Sequence, residues 1–125
     1  MRFMIFVKAT KASETGAPPD PKMMAAMGKF NEELIAAGVM KDYSLLGGLH
    51  PTSRAARVTF SGADRTVTIG PFPNPNELVA GFWLWECKSL EEAIEWVKRA
   101  PNHMPEISDI EIRRLYEMED FAGAE

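Results

Sequence analysis

Two stretches of this sequence carry no polar residue at all: Phe3-Met4-Ile5-Phe6-Val7 and Phe82-Trp83-Leu84-Trp85. Their length and their aromatic and β-branched content mark them as strands. Side chains alternate across a strand, so an unbroken apolar run presents hydrophobic groups on both faces of its sheet. Each face then needs cover, and the rest of the chain must supply it.

Two amphipathic helices are predicted. Asp20-Pro21 opens the first with a capping carboxylate and a proline at the first helical position. Met23, Met27, Phe30 and Leu34 then recur at helical spacing, Lys29, Glu32 and Glu33 occupy the other face, and Gly38 ends the helix. Ser89-Leu90-Glu91-Glu92 is a capping box for the second, whose stripe of Leu90, Ala93, Ile94 and Val97 stops before Pro101.

An apolar strand from Arg2 to Lys8 and a loop from Thr10 to Pro19 precede the first helix, and a strand from Val39 to Leu46 follows it. A hairpin follows (Ala55–Phe60 and Thr66–Ile69, joined by Ser61-Gly62-Ala63-Asp64), then a stiff loop from Gly70 to Asn76. A strand from Leu78 to Glu86 and a last strand from Ile107 to Met118 complete the order. This order predicts one α+β domain over residues 1–125: a ferredoxin-like sandwich with an antiparallel sheet and two helices on one face. The uncovered face requires a second copy of the chain, sheet against sheet, or a fold-over by the C-terminal tail or the Gly70–Asn76 loop. The tail and the loop have few apolar residues, so a homodimer is the economical solution.

Composition excludes several function classes. Fourteen Lys and Arg stand against 18 Asp and Glu, for a net charge of −4. That balance has the wrong sign for nucleic acid, whose binding requires a basic footprint. No apolar run approaches the ~20 residues of a membrane span. The N-terminal residues do not have the length or the small-residue cleavage site of a secretion signal. One cysteine, Cys87, cannot form an internal bridge, so a cytoplasmic location is expected. No CxxC, HExxH, GxxxxGK or GxSxG motif is present, so no metal site and no cofactor is implied.

Individual residues carry the remaining chemistry. His50 follows Gly47-Gly48-Leu49 and is a candidate general base, oriented by Asp42 or Glu77, with a solvated loop histidine as the alternative. His103 reads as a solvated loop residue, and Cys87 as a structural thiol. Arg57 on the hairpin is a candidate for a substrate carboxylate, with a solvated sheet face or a surface ion pair as the alternative. Met27, beside Met23 and Met24, is placed to line a pocket against Trp83, unless these methionines simply fill core. Gly70, Pro71 and Phe72 open the stiff loop, which suits a pocket rim or an inter-subunit contact.

Several ordered segments resemble the YCII-related, DGPF-type family of small bacterial proteins. They are the run from Ala25 to Leu34, Gly48-Leu49-His50-Pro51-Thr52-Ser53, Arg65-Thr66-Val67-Thr68 leading into Gly70-Pro71-Phe72, Glu77 to Trp83, and Glu91 to Trp96 with Pro101-Asn102. The resemblance implies a ferredoxin-like fold assembled as a dimeric α+β barrel, and, in the members that are enzymes, a His–Asp pair. Two positions depart from the pattern. Ile69 stands where the DGPF motif has its aspartate, and Met27 falls where the YCII branch bears its helix histidine. The expected function is accordingly a small-molecule pocket between helices and sheet in a homodimer. The alternatives are a lyase or hydrolase on a small metabolite using His50, and a protein-interaction module accessory to transcription regulation.

Overall fold

A computed structural model describes residues 1–102 and 104–122, so His103 lies outside the described residues. The main sheet is built from β1 (Arg2–Lys8), β2 (Leu46–Gly48), β5 (Val79–Glu86) and β6 (Ile110–Arg114) in the order β2-β5-β1-β6, every neighbour antiparallel. Helices α2 (Pro21–Ala36) and α3 (Leu90–Lys98) pack on one face of it. The architecture is α+β and consistent with a ferredoxin-like fold.

The register explains which face is covered. Phe3 lies opposite Trp85, and Ile5 opposite Trp83 on one side and Ile112 on the other. These residues bury with Val7, Phe30 and Leu34 of α2 and Ala93 of α3. Phe30 sits at the centre of an aromatic cluster, its ring 5.9 Å from Trp83, 6.3 Å from Trp85 and 6.4 Å from Trp96. The tilted and edge-on contacts favour the ring quadrupoles. Met4, Phe6, Phe82 and Leu84 point to the opposite face, away from α2 and α3, and are half-buried.

Four expectations require correction. Val39 and Met40 are buried, yet they form no strand. Their N–H groups both donate to Leu34 O, at 2.9 and 3.2 Å, to finish the helix after Gly38 turns left-handed at φ +75°. The true edge strand β2 is only three residues long, because Asp42 caps a 3₁₀ turn over Tyr43–Leu45 just before it. The Thr10–Pro19 loop contains a short helix, α1 (Lys11–Glu14), closed by reciprocal bonds between Thr10 and Ser13. The last strand shrinks to Ile110–Arg114, and Met118 opens a further helix, α4 (Met118–Ala122). Within the Gly70–Asn76 loop region, a single 3₁₀ turn spans Pro75–Glu77.

The hairpin forms as expected from β3 (Ala56–Ser61) and β4 (Asp64–Ile69), but it stands apart from the main sheet as a separate two-stranded ribbon. Its root is clamped. Gly70 N–H donates to Ala55 O at 2.9 Å, and the Phe72 N–H donates to Thr52 Oγ1 at 2.9 Å. Thr52 in turn donates through its N–H and its hydroxyl to the Glu14 carboxylate. The Arg57 guanidinium stacks 4.0 Å from the centre of the Phe72 ring.

Only glycine fits at position 70: a Cβ there would lie 1.7 Å from Thr52 O, a backbone atom that cannot swing away. Gly70→Ala is therefore expected to lower unfolding free energy by about 2–4 kcal/mol. A substitution at Gly62, in the turn, keeps open space but must tolerate φ +59°. Gly62→Asn should therefore cost less than 1 kcal/mol, roughly. Urea denaturation of the two variants compares them directly.

Candidate functional site

A cleft with largely apolar walls lies between α2 and the β2–β5 edge. Helix α2 contributes Met27 and Asn31 from adjacent turns, four residues apart and so on one side of the helix. Strand β5 supplies Ala80 to Trp83, strand β2 supplies Leu46 to Gly48, and the open cleft between them and α2 has a volume of about 160 Å³. Three wall positions are glycine, and at two of them the neighbouring strand leaves no room for a side chain. A Cβ on Gly47 would come within 3.0 Å of the Phe82 ring, and one on Gly81 within 3.0 Å of Gly47 O.

One polar side chain enters this wall. Asn31 is 7% exposed and its Oδ1 accepts the indole N–H of Trp83 at 2.9 Å. An indole nitrogen can only donate, so the bond fixes the amide with its oxygen toward Trp83. The Asn31 –NH2 group is left without a hydrogen-bond partner among the described residues. Nothing in the composition points to Asn31. The available signal was its spacing, one turn after Met27 and next to Phe30 in the apolar stripe.

Of the residues singled out from the sequence, Met27 and Trp83 come together in this cleft. Gly70, Pro71, Phe72 and Arg57 do not line it; they form the clamped root of the hairpin. His50 is exposed and lines an adjoining depression of about 310 Å³ that shares Ala80 with the first. Its Nδ1 lies 3.5 Å from an Arg54 guanidinium nitrogen, and among the described residues it bonds no carboxylate.

The acids near these clefts hold structural posts. Glu14 is engaged by Thr52, and Asp20 caps α2 by accepting the Lys22 N–H at 3.0 Å. Asp42 accepts both the N–H and the hydroxyl of Ser44, which hold its pKa below the ordinary carboxylate value. Glu77 is exposed at the end of its 3₁₀ turn, and no hydrogen bond joins it to His50 or Asp42. Among the described residues, no group of three or more His, Cys, Asp or Glu side chains is arranged to hold a metal ion. No helix among them is long and apolar enough to cross a membrane.

Cys87, the residue after β5, is 3% exposed, and burial pushes its thiol up to about 11. Ionisation is thus easier in the unfolded chain. Stability is expected to fall as pH rises from the ordinary thiol value toward 11, and a thiol reagent at pH 8 should label Cys87 only after unfolding. For the Asn31 bond, Asn31→Leu orphans the buried Trp83 N–H and should cost about 1–3 kcal/mol by thermal or urea unfolding.

A family model for the YCII-related domain matches residues 1–119. An uncharacterised protein of Rhizobium meliloti (strain 1021) is 29% identical over 96 residues, covering 77% of this chain and 75% of its own. The fold, the ordered motifs and the near-complete match agree, and the chain belongs to the YCII-related family.

Proposed function

We propose that this chain acts as a cytoplasmic, single-domain homodimer that binds a small molecule in the cleft between α2 and the β2–β5 edge. The ligand presents a compact apolar body to Met27, Phe82 and Trp83 and one carbonyl oxygen to the Asn31 –NH2. The carrying observation is that amide: set in the cleft wall, oriented by Trp83, and with no partner for its donors among the described residues. Its –NH2 does not belong to the buried, unpartnered groups, so it is accessible and free to donate to a ligand oxygen.

Size supports the same reading. A cavity of about 160 Å³ compares with the ~150 Å³ that accommodates benzene in an engineered apolar core. The homodimer rests on the open sheet face, where Met4, Phe6, Phe82 and Leu84 have no cover from their own helices. A reducing compartment fits the single, buried, unpaired thiol.

A second reading, a lyase or hydrolase with His50 as general base, draws on one observation: His50 lines the depression next to the cleft. His50→Gln separates the two, since binding in the cleft should survive it while base catalysis should not.

Acetophenone and ethylbenzene, which match in shape and differ in the carbonyl, are suitable probes. With ¹⁵N-labelled protein, both should shift the Trp83 indole N–H signal, acetophenone binding roughly 3–10-fold tighter for one net hydrogen bond. Asn31→Asp keeps an acceptor for Trp83 but removes the donor, and should abolish that preference. Unmoved Trp83 signals with both probes at millimolar concentration contradict the proposal.

A further inference from the structure

The cleft at Asn31 is small for a ligand site. Its volume of about 160 Å³ suits a benzene-sized group, whereas ligand pockets commonly measure about 300–1,000 Å³. A ligand with more than a compact head must place the rest of itself in space that adjoins the cleft.

Two depressions adjoin it. One, of about 310 Å³, meets the cleft at Ala80 and carries Glu14, Asp20 and His50 on its walls. The other, of about 370 Å³, meets the cleft at Val7 and lies between the end of α3 and the start of β6. The strand register shows how this second depression connects. Gly48 lies opposite Gly81, Gly81 opposite Val7, and Val7 opposite Ile110, so these four form one row across the whole sheet, all on the helix-covered face. Gly48 and Gly81 belong to the cleft, Ile110 to the depression and Val7 to both. The row is therefore a common floor, and two strand spacings carry it about 10 Å from Gly81 to Ile110.

The far end of that floor is apolar. Val97, Ala100 and Met104 wall it, and Met104 is half-buried with the Thr10 hydroxyl 3.5 Å from its Sδ. Two polar groups on the rim are already committed: Glu106 accepts the Ala12 N–H, and Asn102 accepts the Met104 N–H. Ile107, also on the rim, is 101% exposed, an apolar side chain with nothing against it. An alkyl chain suits this end and does not suit the charged walls of the depression at Ala80.

We propose that the ligand is an acyl compound longer than the cleft. Its compact apolar head places a carbonyl at Asn31, and its alkyl tail crosses Val7 into the depression between α3 and β6. The inference rests on the cleft reading of the proposed function and names the ligand class for it. Met104 is the specificity-determining residue of the tail end, because a flexible thioether adapts to chains of different length.

The test compares acetophenone with hexanophenone, which adds four methylenes to the same head. Each methylene fully buried strengthens binding about fourfold, so hexanophenone should bind at least about 30-fold tighter. In protein with ¹³C-labelled methionine methyl groups, both ketones should shift the Met27 signal and only hexanophenone that of Met104, assigned with Met104→Leu. Ala100→Phe is chosen to fill the depression, and should remove most of the 30-fold gain while leaving acetophenone binding unchanged. Ile107→Glu, at a fully exposed position, should keep the wild-type circular dichroism and cut the gain at least about threefold, which decides the matter if Ala100→Phe does not fold. Acetophenone that fails to shift the Trp83 indole signal overturns the cleft reading itself. Acetophenone that binds at Trp83, with hexanophenone no tighter, overturns the tail alone. So does a gain that survives these substitutions, and so do shifts of the Leu49 and His50 amides in place of the Met104 methyl.

Discussion

Two helices can cover one face of a four-stranded sheet, and here α2 and α3 cover the face of Phe3, Ile5, Val7, Trp83 and Trp85. The intervening side chains of the same two strands are also apolar, so the chain makes one core and leaves a second apolar surface. The exposed hairpin is a third consequence of the same shortage of covering elements. Met4, Phe6, Phe82 and Leu84 on that second face are half-buried, where Phe3, Ile5, Trp83 and Trp85 on the first are buried. Burying apolar area drives association as it drives folding, at ~25 cal/mol per Å² before the costs of docking.

The cleft follows from the ends of that covered face. Where β2 is only three residues long and carries two glycines, the layer between α2 and the sheet is not filled by side chains. Asn31 reaches into the gap, and the Trp83 N–H determines which end of its amide remains for a ligand. A contrast lies one strand residue pair away. The indole nitrogen of Trp85 is buried with no partner among the described residues, while that of Trp83 is satisfied. The two tryptophans are 5.5 Å apart, yet only Trp83 couples the core to the cleft.

Elements whose cause is local were legible in the sequence. The unbroken apolar runs gave β1 and β5, the Asp20-Pro21 cap and the Met27–Phe30–Leu34 stripe gave α2, and the Ser89 capping box gave α3. Elements decided by tertiary contact were not. Val39 and Met40 are apolar because they enter the core, which resembles a strand in sequence although their N–H groups close a helix. Helix α1 was hidden because its capping box uses Ser13 where a glutamate is the usual cue. The hairpin was readable from alternation, which reveals a face but not what lies against it. For the site, Met27 and Trp83 emerged from apolar spacing. Gly70-Pro71-Phe72 stood out for composition, and their role at the hairpin root needed the contacts with Thr52 that sequence distance conceals. Asn31 was missed because a polar residue in an apolar stripe declares itself only once its partner is known.

Sedimentation equilibrium across a concentration series tests most directly whether one chain supplies half of a shared structure. If a second copy covers the sheet face of Met4, Phe6, Phe82 and Leu84, the wild-type chain sediments as a dimer at high micromolar concentration and Phe6→Lys shifts it to the monomer. A wild-type chain that stays monomeric at that concentration, or a dimer that Phe6→Lys leaves intact, contradicts the account.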